Sequence, residues 1–155
     1  MNGWILKSEP DAFSIDDLFA KPDRTTWWDG VRNYTARNNL VAMKKGDRAF
    51  FYHSNAKPIA IVGEMQVVAE AQVDQTQFDP DAEYFDAKST PEKPRWFAPK
   101  LKGTKKFEFP LTRELLSETA IKNSRLFRES RLSVVDLTPA ELKLIDKLLK
   151  QAGNT

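Results

Sequence analysis

The sequence predicts an α+β fold with a curled or barrel-like mixed sheet, and three observations carry that expectation. Apolar and polar residues alternate through the middle of the chain, and a period of two marks strands. Helix-start signals punctuate both ends, each ahead of a short apolar stripe. The 155 residues contain no internal repeat, low-complexity tract or long linker, so residues 1–155 are expected to form one domain.

Residues 4–6 read as the first strand. Ser14-Ile15-Asp16-Asp17 resembles a capping box, the hydroxyl serving the N–H three residues on, and opens a short helix ending near Pro22. Asn33 can cap a second helix with Ala36, Leu40 and Met43 on one face, and Gly46 is expected to supply its left-handed stop. Residues 48–53 are aromatic and strand-like. From Gly63 onward, Met65, Val67, Ala69, Ala71 and Val73 alternate with Glu64, Gln66, Glu70 and Gln72, predicting a long half-buried strand. Pro80, Pro91, Pro94 and Pro99 make residues 78–100 mostly irregular, with room for a short strand at 95–97. Alternation returns at 105–109. Thr112 can start a helix through Leu115 and Leu116, residues 124–127 a further turn, and residues 131–135 read as a strand. Thr138-Pro139-Ala140-Glu141 combines a cap, a proline at the first helical position and an acid at the third. Leu142, Ile145, Leu148 and Leu149 then form the buried stripe of a final helix.

Composition excludes much chemistry. With no cysteine there is no disulfide framework, thiolate metal site or cysteine nucleophile, and a single histidine, His53, cannot build a multi-histidine centre. No metal or cofactor is therefore expected, and no nucleophile-elbow motif surrounds a serine. No apolar run approaches the ~20 residues that cross a bilayer. Met1-Asn2-Gly3-Trp4 lacks the character of a signal peptide, so a cytoplasmic setting without a membrane partner is expected. The net charge of +2 hides segregation. Asp74, Asp79, Asp81, Glu83, Asp86 and Glu92 precede a basic stretch holding Lys93, Arg95, Lys100, Lys102, Lys105 and Lys106. A second basic cluster comprises Lys122, Arg125, Arg128 and Arg131. Such clusters can attract phosphates or form a solvated, salt-bridged surface.

Four motifs offer chemistry. Lys7-Ser8-Glu9-Pro10 follows the first strand, so its three hydrogen-bonding side chains either line a site at the sheet's end or form a polar turn. Trp27-Trp28-Asp29-Gly30-Val31-Arg32-Asn33-Tyr34 sets an aromatic face beside a helix start, or else its tryptophans are core. Tyr52-His53-Ser54 ends a strand with three polar groups, and Ser130-Arg131-Leu132-Ser133 offers two hydroxyls and a guanidinium.

Taken in order, these segments resemble the EVE domain. The matching residues are Trp4-Ile5-Leu6-Lys7-Ser8-Glu9-Pro10, Trp28-Asp29-Gly30-Val31-Arg32-Asn33-Tyr34-Thr35-Ala36-Arg37-Asn38, Gly46-Asp47, Phe51-Tyr52-His53-Ser54 and Arg131-Leu132-Ser133-Val134, spanning nearly the whole chain. Val41 stands where an arginine is common in that family. The resemblance implies a PUA-like mixed β pseudo-barrel with flanking short helices, related to YTH domains, and a module that reads a modified base of DNA or RNA in an aromatic-lined pocket. It implies Trp28 as a pocket wall, with Lys7, Ser8, Glu9, Val31, Asn33, Tyr52, His53, Ser54 and Ser133 around it. Arg32, Arg37, Arg125, Arg128 and Arg131 are the expected phosphate contacts.

Stacking one base contributes about 1–3 kcal/mol. A fitted methyl adds about 1–3 kcal/mol, whereas micromolar affinity needs about −8 kcal/mol. Edge hydrogen bonds and phosphate contacts must supply the rest. The expectation is a non-enzymatic binder with nucleic acid as its partner and no catalytic residue. The alternatives are a hydrolase of a modified nucleoside or RNA using Lys7 and Glu9, and a small-anion or protein-interaction module. For these residues to form one site, Trp28, Lys7 and His53 must converge on one pocket.

Overall fold

Residues 1–155 are described by a computed structural model, in which the apolar run at the start forms β1 (Gly3–Ser8). Ser14 caps α1 (Ile15–Ala20) with the full reciprocal capping box to Asp17. A 3-10 turn leads into β2 (Thr25–Trp27), a three-residue strand with too little sequence to show a period. Asn33 caps α2 (Tyr34–Ala42), its side chain accepting the Ala36 N–H, and Ala36, Leu40 and Met43 are all fully buried. Gly46 does not stop this helix. Met43 leaves it in an extended conformation, and Gly46, at φ +96°, belongs to the following turn, where Asp47 N–H bonds the Lys44 carbonyl.

β3 (Arg48–His53) and β4 (Ala60–Val73) follow. Residues 79–96 form no helix or named strand, as the prolines imply, and the chain then enters β5 (Phe97–Thr112). This strand is far longer than the segment expected at 105–109, because Pro99 and Pro110 are accommodated rather than terminating it. Both fall where the β4–β5 register shifts, so neither missing N–H interrupts a regular ladder. Thr112 caps α3 (Arg113–Ser117), and a 3-10 turn at Ala120–Asn123 leads to α4 (Arg125–Arg128). β6 (Val134–Leu137) begins three residues later than expected, because Ser130 and Arg131 lie in the turn before it. Thr138 caps α5 (Pro139–Gln151) with the predicted box.

The sheet is mixed, with order β2-β5-β4-β3-β1-β6. Only β1 and β3 are parallel, in a register that pairs Lys7 with Tyr52 and Ser8 with His53. Strand alternation sorts their side chains between two layers. Gly3, Ile5 and Lys7 share a face with Phe50 and Tyr52; α5 covers it, since Leu142 fills the space above Gly3. Leu6 and Ser8 share the other face with Phe51 and His53, where Ile15 of α1 covers Gly63, the partner of Phe51. α2 packs against both β5 and β6, so a single helix bridges towards the two sides of the curled sheet. One continuous core of 27 buried residues results.

Candidate nucleic-acid interface

The parallel pairing of β1 and β3 brings two carboxyl-terminal strand ends side by side, each carrying polar residues. On one face, the Lys7 ammonium lies 5.5 Å from the centre of the Tyr52 ring and donates to the Ser130 carbonyl at 3.0 Å. The Lys7 backbone N–H donates to the Ser133 carbonyl. Burial, reinforced by the nearby Arg113 cation, lowers the Lys7 pKa to about 8.

On the opposite face, Trp28 stands edge-on to Phe51 at 5.4 Å and to Phe13 at 6.2 Å. His53 is edge-on to Phe51 at 5.5 Å, and its Nε2 accepts the Ile15 N–H at 3.1 Å. That nitrogen must be unprotonated to accept, and burial lowers the pKa of the ring accordingly. Ser8 donates through its hydroxyl to the Phe13 carbonyl, and the Ser54 N–H donates to the Ser8 carbonyl. Trp28, Lys7 and His53 therefore do not converge on one pocket. Period-two alternation places Lys7 and Tyr52 on one side of the β1–β3 pair, and Ser8, His53 and Trp28 on the other.

Beside Trp28 the chain turns at Gly30, where φ is +78° and a Cβ would meet the Tyr84 ring at 2.7 Å. The turn is held by Asp74, whose carboxylate accepts the Gly30 N–H at 2.9 Å, an Arg32 donor at 3.0 Å and the Thr76 N–H and hydroxyl. Burial alone would raise the Asp74 pKa, but these hydrogen bonds together pull it below the usual carboxylate range. Asp29 is the contrasting acid. Its side chain bonds no other residue, and desolvation of the carboxyl, with Asp74 close by, pushes its pKa up. Asn33 is occupied as the α2 cap, and half-buried Val31 packs against the core. Glu9 accepts from Asn55 at 3.3 Å while Lys7 turns to Ser130, so the pair proposed for hydrolysis is directed to different partners.

Two of the expected phosphate contacts are already neutralised. Arg32 is paired with Asp74, and Arg125 with both Glu129 and Asp136. Arg37 bonds the Arg95 carbonyl and Asn38, and Arg128 bonds the Asn123 carbonyl; neither is paired with an acid. Arg131 is exposed and unpaired. It lines a cleft of about 360 Å³ with Asn33, Thr35, Glu129, Ser130 and Leu132. A second cleft, of about 440 Å³, lies beside His53 between Pro10, Lys57 and Pro110.

Three residues at this end of the sheet escaped the sequence reading. Asp74 and Tyr84 flank the Trp28-Asp29-Gly30 turn from an irregular segment, where no period marks which side chain turns inward. Arg113 follows β5 directly, and a cation immediately past a strand end was the available signal.

The EVE domain family model matches residues 2–148. Thymocyte nuclear protein 1 of Gallus gallus is 43% identical over 161 residues, a match covering 92% of this chain, which spans 66% of that protein's length. Among solved structures, the DUF55 domain of human thymocyte nuclear protein 1 matches with a TM-score of 0.91 at 38% identity, covering 96% of this chain and 98% of that one. The human THYN1 protein in complex with 5-methylcytosine-containing DNA matches with a TM-score of 0.91 at 37% identity, over 100% of this chain and 99% of that one. The six-stranded mixed sheet with short helices is thus the PUA-like architecture of those structures.

Proposed function

Because this chain belongs to the EVE domain family, we propose that it is a non-enzymatic module that binds DNA and recognises a modified base, with 5-methylcytosine as the first candidate. The observation that carries this reading is the full-length similarity to the human protein crystallised with 5-methylcytosine-containing DNA. The Trp28-Asp29-Gly30 turn supplies fitting chemistry. The indole is packed in the core against Phe13 and Phe51 and offers only its small exposed part to a methyl group, and the Asp29 carboxylate, bonded to no other residue, is an acceptor suited to the exocyclic amine of cytosine. Seating a base there requires lifting it out of the duplex, at a cost of a few kcal/mol. Arg131 and Arg37, unpaired with any acid, supply compensating phosphate contacts.

Matched duplexes that differ only in cytosine methylation, titrated by fluorescence anisotropy, test the reading. The protein should prefer the methylated duplex, and Asp29→Asn should weaken binding to both while leaving the fold intact. Trp28→Ala should abolish the preference, although loss of an aromatic ring that is only 7% exposed will also cost about 3–5 kcal/mol of stability. Equal affinity of the unaltered protein for both duplexes would sink the modified-base reading.

A further inference from the structure

The Lys7 face holds cations without counter-charges. Lys7 is half-buried, and its ammonium has three donors but only one acceptor within the chain, the Ser130 carbonyl. Arg113 is also partly buried. Its guanidinium rests 4.2 Å from the centre of the Phe127 ring, and none of its five donors is bonded within the chain. The Tyr52 ring is buried, while its hydroxyl, bonded to nothing within the chain, reaches solvent. The carboxylate nearest in sequence to Ser130, that of Glu129, is engaged by Arg125. Burial and the Arg113 cation both push the Lys7 pKa down.

Lys7 and Arg113 reach the same short segment, one at the Ser130 carbonyl and the other at the Phe127 ring, so two partly desolvated cations with spare donors are left to be satisfied by an anion. Arg113 is also fixed by its fold position. It is the first residue of α3, its backbone N–H bonds the Ile59 carbonyl, and its planar group is spread over an aromatic ring, which orients the fork before any ligand arrives. The site adjoins the Arg131 cleft through the shared Ser130.

We propose that Lys7, Tyr52 and Arg113 form an anion-binding site that takes one backbone phosphate of the bound nucleic acid. The proposal rests on the nucleic-acid reading above but places a contact on the face of the sheet opposite Trp28. The phosphate receives donors from the lysine, the guanidinium and the phenol, and its charge offsets the repulsion between the two cations. Such a contact positions the strand and is indifferent to base identity.

The test compares the unaltered protein with Arg113→Gln and Arg113→Lys in duplex titrations across a salt series, after thermal melts show all three folded. Arg113→Gln should weaken binding to methylated and unmethylated duplexes by the same factor. It should also make the slope of log K against log salt shallower by about one unit, with Arg113→Lys retaining most of the slope. In a separate arm, inorganic phosphate followed by NMR should shift the Lys7 and Arg113 side-chain signals saturably, and the shifts should be lost in Tyr52→Phe combined with Arg113→Gln. An unchanged salt slope in Arg113→Gln would overturn the proposal, as would a loss confined to one methylation state. Failure of the base-recognition reading appears instead as equal affinity for both duplexes with the salt slope still sensitive to Arg113. If no duplex binds at all, the phosphate arm decides alone: absence of saturable shifts overturns the site.

Discussion

His53 shows how one atom decides a residue's role. Its Nε2 accepts from the first N–H of α1, so protonation there would replace an attraction with a clash of two donors. The folded-state pKa is lowered from 6.5 by burial, with Asp16 opposing the shift, so the unfolded chain binds the proton more readily. Stability contributed by neutral His53 is full above 6.5 and declines as pH falls through that value towards the lower folded pKa. Urea melts between pH 5 and 7.5 should show this slope, and His53→Gln should flatten it; an unchanged slope would refute the assignment. The motif residues were legible as chemical types at strand ends. Their faces were not. Assigning Lys7 and His53 to opposite sides requires the register of two strands separated by α1, β2 and α2, which only the folded pairing of Lys7 with Tyr52 reveals. Arg32 was likewise legible as a cation but not as a partner of Asp74, because that acid arrives from the far end of β4.

At the scale of elements, side-chain caps separate two helices that each follow a hydroxyl residue. The Thr138 hydroxyl accepts the Glu141 N–H and the Thr138 N–H donates to the Glu141 carboxylate, whereas the Ser124 hydroxyl ahead of α4 is buried without any partner. Thr138→Ala should therefore cost about 1 kcal/mol, while Ser124→Ala should be neutral or stabilising, because it deletes an unsatisfied polar atom. Equilibrium denaturation of both variants checks the contrast, and equal losses would contradict it. Local signals of this sort made α1, α2, α3 and α5 readable, since a cap and its stripe lie within a few residues. β2 was unreadable because it is three residues long and owes its existence to pairing with β5. The true length of β5 was hidden by Pro99 and Pro110, whose tolerance depends on bulges formed with another strand.

For the molecule as a whole, the segregated charge is neutralised only in part within the chain. Lys102 meets Asp23, Lys106 meets Asp16, and Asp74 is consumed by Arg32, leaving Arg113, Arg131, Arg37 and Arg95 among the cations without acid partners. The parallel pairing of β1 with β3 also predicts an order of events during folding. β3, β4 and β5 form successive antiparallel neighbours, whereas β1 joins β3 across the whole segment from Glu9 to Asp47. Closing that loop costs chain entropy before any contact repays it. Conservative core substitutions in the β3–β4 pair, such as Met65→Ala, should slow refolding, whereas Ile5→Val in β1 should mainly accelerate unfolding. Stopped-flow chevrons distinguish the two, and a refolding rate set by Ile5 would reverse the order. If the order holds, the strand carrying Lys7 and Ser8 docks after β3, β4 and β5 have paired, and β6 can add only to its outer edge, so the binding end of the sheet is completed late in folding.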